Sequence, residues 1–245
     1  NLRRLFFRLL GLYHGTLTNP PAVDFSGDRL PELADFTAQE LQLGYETASL
    51  TFMDVYFLNA FEDAIYAVPT PTTKATVRRV SKCSAFVKKT SDDVLLAHNS
   101  WSSYLSQTMA MTLVVNDTFM TFNAIQPGML SSYTDFGYNK QRIIFNETTH
   151  LYDADQPKVE ALWMIWRATL AEQFSGSIDE FFEYMSLEAS GTYMNGYMVL
   201  DGKTGEFGLV EMSWDTFVFF RPDGQNTVNV TTKPDGVRQD YDTDM

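Results

Sequence analysis

The hydrophobic pattern of the chain changes its period at Cys83. Before that position, residues 36–67 carry leucine and phenylalanine at helical spacing and predict a helix. Residues 69–78 contain two prolines and predict a linker or an exposed loop. From Cys83 onward the period is two, in the runs CSAFVKK and DVLLAHNSW, which Thr90 and the residues after it separate. This alternation predicts a β-hairpin. A chain that passes from helices to paired strands is expected to have an α+β fold.

Five more runs have the composition of strands, and one helical block interrupts them. The strands are predicted at FMTFNAIQ, RIIFNETT, GYMVLDG, EFGLVEMS and TFVFFRP. In the helical block, Pro157 suits a first helical position, and the positions from Val159 to Leu170 keep one face apolar. Ser177 and Glu180 form an S-x-x-E capping box for a second helix. Helices stacked on a mainly antiparallel sheet are therefore expected.

Charge and cysteine content exclude several classes of protein. The net charge of -13 disfavours nucleic acid and anionic membrane surfaces as partners. A single cysteine cannot form an internal disulfide or a cysteine-based metal site, and His14, His98 and His150 lack metal-ligand spacing. No cofactor or metal is expected, and no apolar run reaches the roughly 20 residues of a membrane-spanning helix. The N-terminal NLRRLFFRLLGLYHG predicts an amphipathic helix docked on the core, with a membrane-surface helix as the alternative.

Common catalytic motifs do not fit the sequence. The GKT at 202–204 lacks the earlier glycine of a phosphate-binding loop, because Tyr197 stands there. Ser175 lacks the glycines of a nucleophile elbow. A papain-like cysteine needs its histidine roughly 130 to 150 residues downstream, and neither His98 nor His150 lies that far from Cys83. From the residues alone, a buried core thiol and a nucleophile both remain open for Cys83.

A strand that begins with a cysteine has one well-understood catalytic use. If the bond between Lys82 and Cys83 is cut, Cys83 gains an α-amino group whose ordinary pKa is about 7.7 to 8.0. That amine can serve as the base for the thiol of the same residue, so no distant histidine is needed. This is the strategy of N-terminal nucleophile hydrolases.

Several segments resemble the phospholipase B-like (lamina ancestor) family, whose members are similar to cysteine N-terminal nucleophile hydrolases. They are LGLYHGTLT, LTFMDVYFLNAFED, CSAFVK, LLAHNSWSSY, SSYTDFGY, NETTH and SGTYMNGYMVLD, and they cover most of residues 10–214. The resemblance implies a four-layer αββα sandwich. It also implies hydrolysis of amide or ester bonds in a small-molecule acyl amide or lipid substrate.

The resemblance assigns roles to five residues. Cys83 is the nucleophile, His98, Trp101 and Thr149 are its neighbours in the active site, and Asn195 has a pocket or structural role. It further implies autocatalytic cleavage between Lys82 and Cys83. Residues 1–82 would be a helical prosegment that stays associated with the core of residues 83–245, all within one domain. A lysosomal or secreted location is expected, and the three sequons at Asn116, Asn146 and Asn229 matter only in that case.

The sequence also departs from the family pattern. Met194 and Gly196 replace an asparagine and a glutamine of the motif. The family extends beyond this C-terminus, where an oxyanion asparagine and an arginine are expected, with Asn226 and Arg221 as positional candidates. The fold is therefore expected to be incomplete at the C-terminus. The alternative function is a catalytically silent binding or structural module.

Overall fold

A computed structural model describes residues 2–15, 50–67, 83–100, 109–115, 118–126, 128–130, 136–149, 158, 160–213, 216–222 and 227–230. Its helices are α1 (Leu2–Gly15), α2 (Phe52–Asn59), α3 (Phe61–Ala67), α4 (Met164–Phe174) and α5 (Ile178–Ser186). Its strands are β1 (Cys83–Lys89), β2 (Val94–Ser100), β3 (Met109–Val115), β4 (Thr118–Ile125), β5 (Phe136–Asn139), β6 (Ile143–Thr149), β7 (Asn195–Asp201), β8 (Glu206–Met212), β9 (Thr216–Phe220) and β10 (Thr227–Val230).

The strands form two antiparallel sheets. Eight of them follow one another in the order β10-β9-β8-β7-β6-β5-β4-β3, and each pairs with its neighbour in the chain or across the helical block. The hairpin of β1 and β2 is a separate two-stranded sheet. The strands predicted from alternation, including this hairpin, are confirmed.

Helices α4 and α5 cover one face of the large sheet. Phe145 of β6 and Tyr197 of β7 both contact the ring of Phe181 in α5, at centroid distances of 5.9 and 5.5 Å. These side chains belong to a buried apolar cluster that extends from β6 to β9. Burial of each such aromatic side chain stabilises the fold by about 1.5–3 kcal/mol.

The outer side of α4 packs against the N-terminal helices. Leu5 and Leu9 of α1 and Phe52 of α2 share a second buried cluster with Trp166 and Leu170 of α4. The apolar stripe of α1 is thus buried, which confirms the predicted core-docked helix. Arg8 of the same helix donates a hydrogen bond to Gln173.

The hairpin lies on the opposite face of the large sheet, against β6 and β7. Asn146 of β6, which alternates with Phe145, reaches it by donating its Nδ2 to the carbonyl of Ala97 at 3.1 Å. The described residues therefore form helices, a large sheet and a hairpin layered in that order. This is the predicted α+β class, and it is compatible with a sandwich.

A buried carboxylate connects α3 to the start of α4. Asp63 accepts hydrogen bonds from the backbone of Met164 at 2.8 Å and of Ile165 at 2.9 Å, and another from the hydroxyl of Thr192. Burial raises the pKa of Asp63, and these hydrogen bonds oppose the rise. Arg167, fully buried nearby, donates to the carbonyls of Leu162 and Met185, and burial lowers its pKa to about 10.

Two helix predictions need correction. The helix predicted over 36–67 is not continuous, because Thr51 caps α2 and a turn at Ala60 separates α2 from α3; residues 36–49 lie outside the described residues. The block predicted to start at Pro157 begins as helix only at Met164. Before it, Leu162 pairs with Ala189 in an isolated bridge.

The helix α4 is also buried on more than one face. Arg167, Thr169, Glu172 and Gln173 are as buried as its apolar residues, so burial of α4 extends beyond the predicted apolar face, of which Trp166 and Leu170 are buried. At α5, Ser177 accepts from the Glu180 backbone as predicted, whereas the Glu180 carboxylate accepts from Gly176 rather than from Ser177.

Strands β3, β5 and β10 were not predicted. In β5, a Cβ at Gly137 would overlap the carbonyl of Phe122, so this position requires glycine. Because glycine is unfavourable in strands, the sequence of β5 does not indicate a strand. The sequence of residues 233–245 predicts an acidic tail, and this segment lies outside the described residues.

Candidate functional site

Cys83 is the first residue of β1 and is half-buried. Its direct cross-strand partner is Ser100, the last residue of β2. Both occupy the half-buried face of the hairpin, whereas Ser84 and Asn99 occupy the exposed face. Since the hairpin packs on β6 and β7, this half-buried face is the one turned to the large sheet.

A polar turn sets this register. Thr90 donates its hydroxyl to the carbonyl of Asp93 at 3.0 Å, and it accepts from the backbone of Asp93 at 2.9 Å. The acidic pair Asp92 and Asp93 thus serves a turn. With Lys89 and Val94 paired next to the turn, the continuous ladder brings Cys83 opposite Ser100.

His98 lies on the same face of the hairpin as Cys83. It pairs with Ala85, so it is diagonal to Cys83, within the reach of a long side chain. Its Nε2 is 2.7 Å from the backbone oxygen of Glu147. A carbonyl oxygen only accepts hydrogen bonds, so Nε2 carries the proton and Nδ1 is the acceptor in the neutral ring. Ser100 Oγ lies 3.5 Å from that Nδ1.

The environment of His98 favours its neutral form. Burial lowers the pKa of the imidazole below its ordinary value, and the hydrogen bond to Glu147 opposes this in part. The ring also contacts Phe136, at 6.1 Å between centroids. His98 is therefore a neutral imidazole held in one orientation, with its basic nitrogen towards the end of the hairpin where Cys83 and Ser100 pair.

Two consecutive residues of β6 hold two consecutive residues of β2. The Asn146 side chain bonds to Ala97, and the Glu147 carbonyl bonds to His98. This pair of contacts fixes the hairpin on the large sheet at the position of the imidazole. Because Asn146 is buried and bonded in this way, its sequon is not open to glycosylation in the folded chain.

Thr149 and Asn195 pair with each other where β6 ends and β7 begins. The Thr149 hydroxyl is 2.6 Å from the hydroxyl of Tyr193 and 3.4 Å from Glu147 Oε1. Asn195 is fully buried, and neither atom of its amide has a hydrogen-bond partner among the described residues. A buried amide without partners is costly, and the pocket or structural role of Asn195 stays a prediction.

Strand alternation separates these residues into two groups. Thr149 and Asn195 share the face of Phe145 and Tyr197, which is covered by α5. Cys83 and His98 approach the other face. In the described part of the chain, the backbone of β6 links the two groups at Glu147, which His98 binds. A single site that contains all the predicted residues thus stays a prediction.

Other candidate residues are less informative. Trp101 and Asn226 lie outside the described residues. Arg221 pairs with Asp179 and lies over the ring of Phe219 at 4.9 Å. It follows β9, which is two strands away from β7, one of the strands that the hairpin contacts. In the part of the chain that the structure describes, no group of three or more His, Cys, Asp or Glu side chains is arranged to hold a metal ion.

Sequence reasoning missed Ser100 and Tyr193. The register of the hairpin would have indicated Ser100, because pairing outward from the turn at Thr90 reaches Cys83 and Ser100 together. Tyr193 stands in the quoted segment SGTYMNGYMVLD, yet its bond to Thr149 joins residues that are distant in sequence.

Comparison with known proteins identifies the family. The family model for phospholipase B matches residues 35–218, which is most of the chain. The chain belongs to the phospholipase B family. Phospholipase B-like 1 of Rattus norvegicus is 27% identical over 186 residues, covering 68% of this chain and 34% of the relative. Phospholipase B-like 1 of Homo sapiens is 27% identical over 180 residues, covering 64% and 32%.

A third organism provides a further relative in the phospholipase B family. Phospholipase B-like protein A of Dictyostelium discoideum is 29% identical over 151 residues, covering 54% of this chain and 26% of the relative. The chain thus spans about a third or less of the length of these curated relatives. No helix in the described ranges combines the length and apolarity that crossing a membrane requires.

Proposed function

We propose that the chain is a hydrolase of amide or ester bonds in lipid-like acyl substrates, with Cys83 as its N-terminal nucleophile. One observation carries the proposal. Cys83 heads a strand, half-buried, on the same face as Ser100 and a neutral His98, in a chain of the phospholipase B family. The names of the curated relatives support an acyl substrate.

The proposed reaction requires prior cleavage between Lys82 and Cys83. The freed α-amine takes the thiol proton, and Sγ attacks the acyl carbonyl carbon. The bond to the leaving group breaks, and that group takes the proton from the ammonium. Water then adds to the thioester carbon, the acid leaves, and a proton returns to the sulfur. The cycle needs no metal or cofactor.

The same proposal includes a prosegment. Residues 1–82 remain on the core of residues 83–245 after cleavage, so that the two pieces associate. The bonds of Asp63 to Met164, Ile165 and Thr192 support this, because they cross the proposed cut. We further propose a lysosomal or secreted location, in which Asn116 and Asn229 are the sequons to examine for glycans by mass.

One observation favours the second candidate, a silent binding module. Thr149 and Asn195 alternate onto the face of the large sheet opposite to the hairpin. A nucleophile without these two residues lacks part of the implied site. The two candidates differ in turnover: the cut hydrolase should form a thioester on Cys83 with N-acyl amides or lysophospholipids, and the silent module should not.

Cleavage is the first test. We expect Cys83→Ala to abolish scission before residue 83, because the thiol that starts the cleavage is absent while the small side chain preserves the strand. Intact mass should give one chain near 27.9 kDa for this variant and two pieces for the wild type. Ser84→Ala, on the exposed face, is the matched control and should be cut normally. Equal scission of the alanine variant at position 83 would assign the cut to an outside protease.

A further inference from the structure

The proposed cleavage poses a chemical problem that the finished enzyme does not have. Before the cut, the nitrogen of Cys83 belongs to the peptide bond with Lys82, and an amide nitrogen is not a base at neutral pH. The α-amine that would later accept the thiol proton does not yet exist. The first reaction of the chain therefore needs a different base near Cys83.

The end of the hairpin supplies one. Ser100 is directly opposite Cys83, and directly paired residues on one face of an antiparallel ladder have Cβ atoms about 4.5–5.5 Å apart. A hydroxyl and a thiol in these positions point the same way, towards β6. Ser100 Oγ is in turn 3.5 Å from Nδ1 of His98, the outer limit of a hydrogen bond. Catalytic hydrogen bonds are often long in the resting protein and shorten in the transition state.

The hydrogen bond of Nε2 determines which nitrogen of the imidazole can act as the base. Because Nε2 donates to the Glu147 carbonyl at 2.7 Å, the lone pair of the neutral ring is on Nδ1, the nitrogen nearer to Ser100. Asn146 binds the neighbouring carbonyl of Ala97, so the strand that carries the imidazole is held on β6 as well. A rotated ring would lose the shorter of these contacts.

We propose that Ser100 is a catalytic residue of the cleavage step, which relays the proton of the Cys83 thiol to Nδ1 of His98. This inference rests on the proposed function, since it concerns the reaction that creates the N-terminal nucleophile. In the uncut chain, Ser100 and His98 accept the thiol proton of Cys83; in the cut chain, the α-amine accepts it.

The steps balance as follows. The hydroxyl of Ser100 gives its proton to His98 Nδ1 and takes the thiol proton, and Sγ attacks the carbonyl carbon of Lys82. The carbon–nitrogen bond breaks, and the nitrogen of Cys83 takes the proton from the imidazolium and becomes an amine. Lys82 is then joined to the sulfur as a thioester. Water adds to that carbon, the carboxylate of Lys82 leaves, and the thiol is restored.

The experiment compares two variants of the same shape. Ser100→Thr keeps a hydroxyl, Ser100→Val does not, and both are β-branched residues suited to a strand. The full chain is made by cell-free synthesis, and the cut fraction is followed on denaturing gels against time. We expect the threonine variant to be cut at close to the wild-type rate. The valine variant should be slower by about 10²-fold, the lower end of the range for a positioned proton-transfer group.

A control variant and a chemical treatment identify the step in which Ser100 acts. Asn99→Ala, the outward neighbour of Ser100, should be cut like the wild type, because its side chain is on the exposed face. Hydroxylamine cleaves thioesters, so it rescues a chain that forms the thioester but hydrolyses it slowly. It should not restore the valine variant, whose thioester fails to form.

Each outcome decides something. If the valine and threonine variants are both cut at the wild-type rate while Cys83→Ala is not cut, the relay is wrong and the nucleophile stands. If hydroxylamine restores the valine variant, Ser100 acts after thioester formation, and the relay is again wrong. If threonine is as slow as valine, the hydroxyl has no role beyond packing. A wild-type chain that is never cut refutes both the relay and the proposed function.

Discussion

At the scale of single residues, the chemistry of His98 is constrained by one hydrogen bond and by burial. Its Nε2 proton is committed to the Glu147 carbonyl, and burial disfavours the charged ring. Both effects leave Nδ1 as an available base at a pH where an exposed histidine is partly protonated. The ordinary pKa of an exposed histidine is about 6.5.

This predicts a titration. In a pH series of proton–carbon NMR spectra, the His98 ring should titrate below the ordinary histidine pKa, with the resonance assigned through its loss in His98→Gln. The imidazole of His98 binds a proton more readily in the unfolded chain than in the folded one. The free energy of unfolding should therefore fall as pH drops from about 6.5 towards the native pKa. A ring that titrates at or above the ordinary value would contradict the burial of the imidazole.

At the scale of secondary-structure elements, local pattern predicted the strands better than the helix ends. Strands β6 to β9 were predicted because each keeps apolar residues on a covered face. The start of α4 was not, because its first backbone amides bind Asp63, a residue 101 positions away from Met164. Before that start, the bridge of Leu162 to Ala189 keeps the chain out of the helix. A cap supplied from another helix leaves no signal near the helix that it caps.

The same reason limits what the sequence reveals of the site. The nearness of Cys83 and His98 could be predicted, because the two strands of a hairpin determine each other's register. The position of Thr149 relative to Cys83 could not, since it depends on which face of β6 the hairpin covers. That choice is made by Asn146 and Glu147, whose partners belong to a distant strand.

Asp63 gives a stability prediction at this scale. Asp63→Ala removes the acceptor of two backbone amides at the start of α4 and of the Thr192 hydroxyl, and each buried donor left without a partner costs about 1–3 kcal/mol. Asp63→Asn should cost less, because its amide oxygen still accepts one backbone hydrogen bond. Denaturant unfolding of the uncut Cys83→Ala background measures both. Equal stability of the alanine variant and its parent would mean that the start of α4 does not depend on the hydrogen bonds of Asp63.

At the scale of the whole molecule, the part before Cys83 and the part after it share one core. Leu5, Leu9 and Phe52 are buried against Trp166 and Leu170, and Asp63 adds the polar contacts. Each large apolar side chain buried across this boundary contributes about 1.5–3 kcal/mol. A cut in the intervening chain removes none of these contacts.

The last prediction follows: the two pieces should stay together after any cut between α3 and β1. It can be examined without self-cleavage, by placing a site for a sequence-specific protease within residues 69–78 of the Cys83→Ala chain. After digestion, we expect a single peak in size-exclusion chromatography that contains both pieces, with separation only in denaturant. The undigested chain is the control for elution volume. Elution of the larger piece alone in native buffer would show that α1 to α3 hold to α4 too weakly to form one molecule, and that the contacts of Asp63 do not act as an anchor.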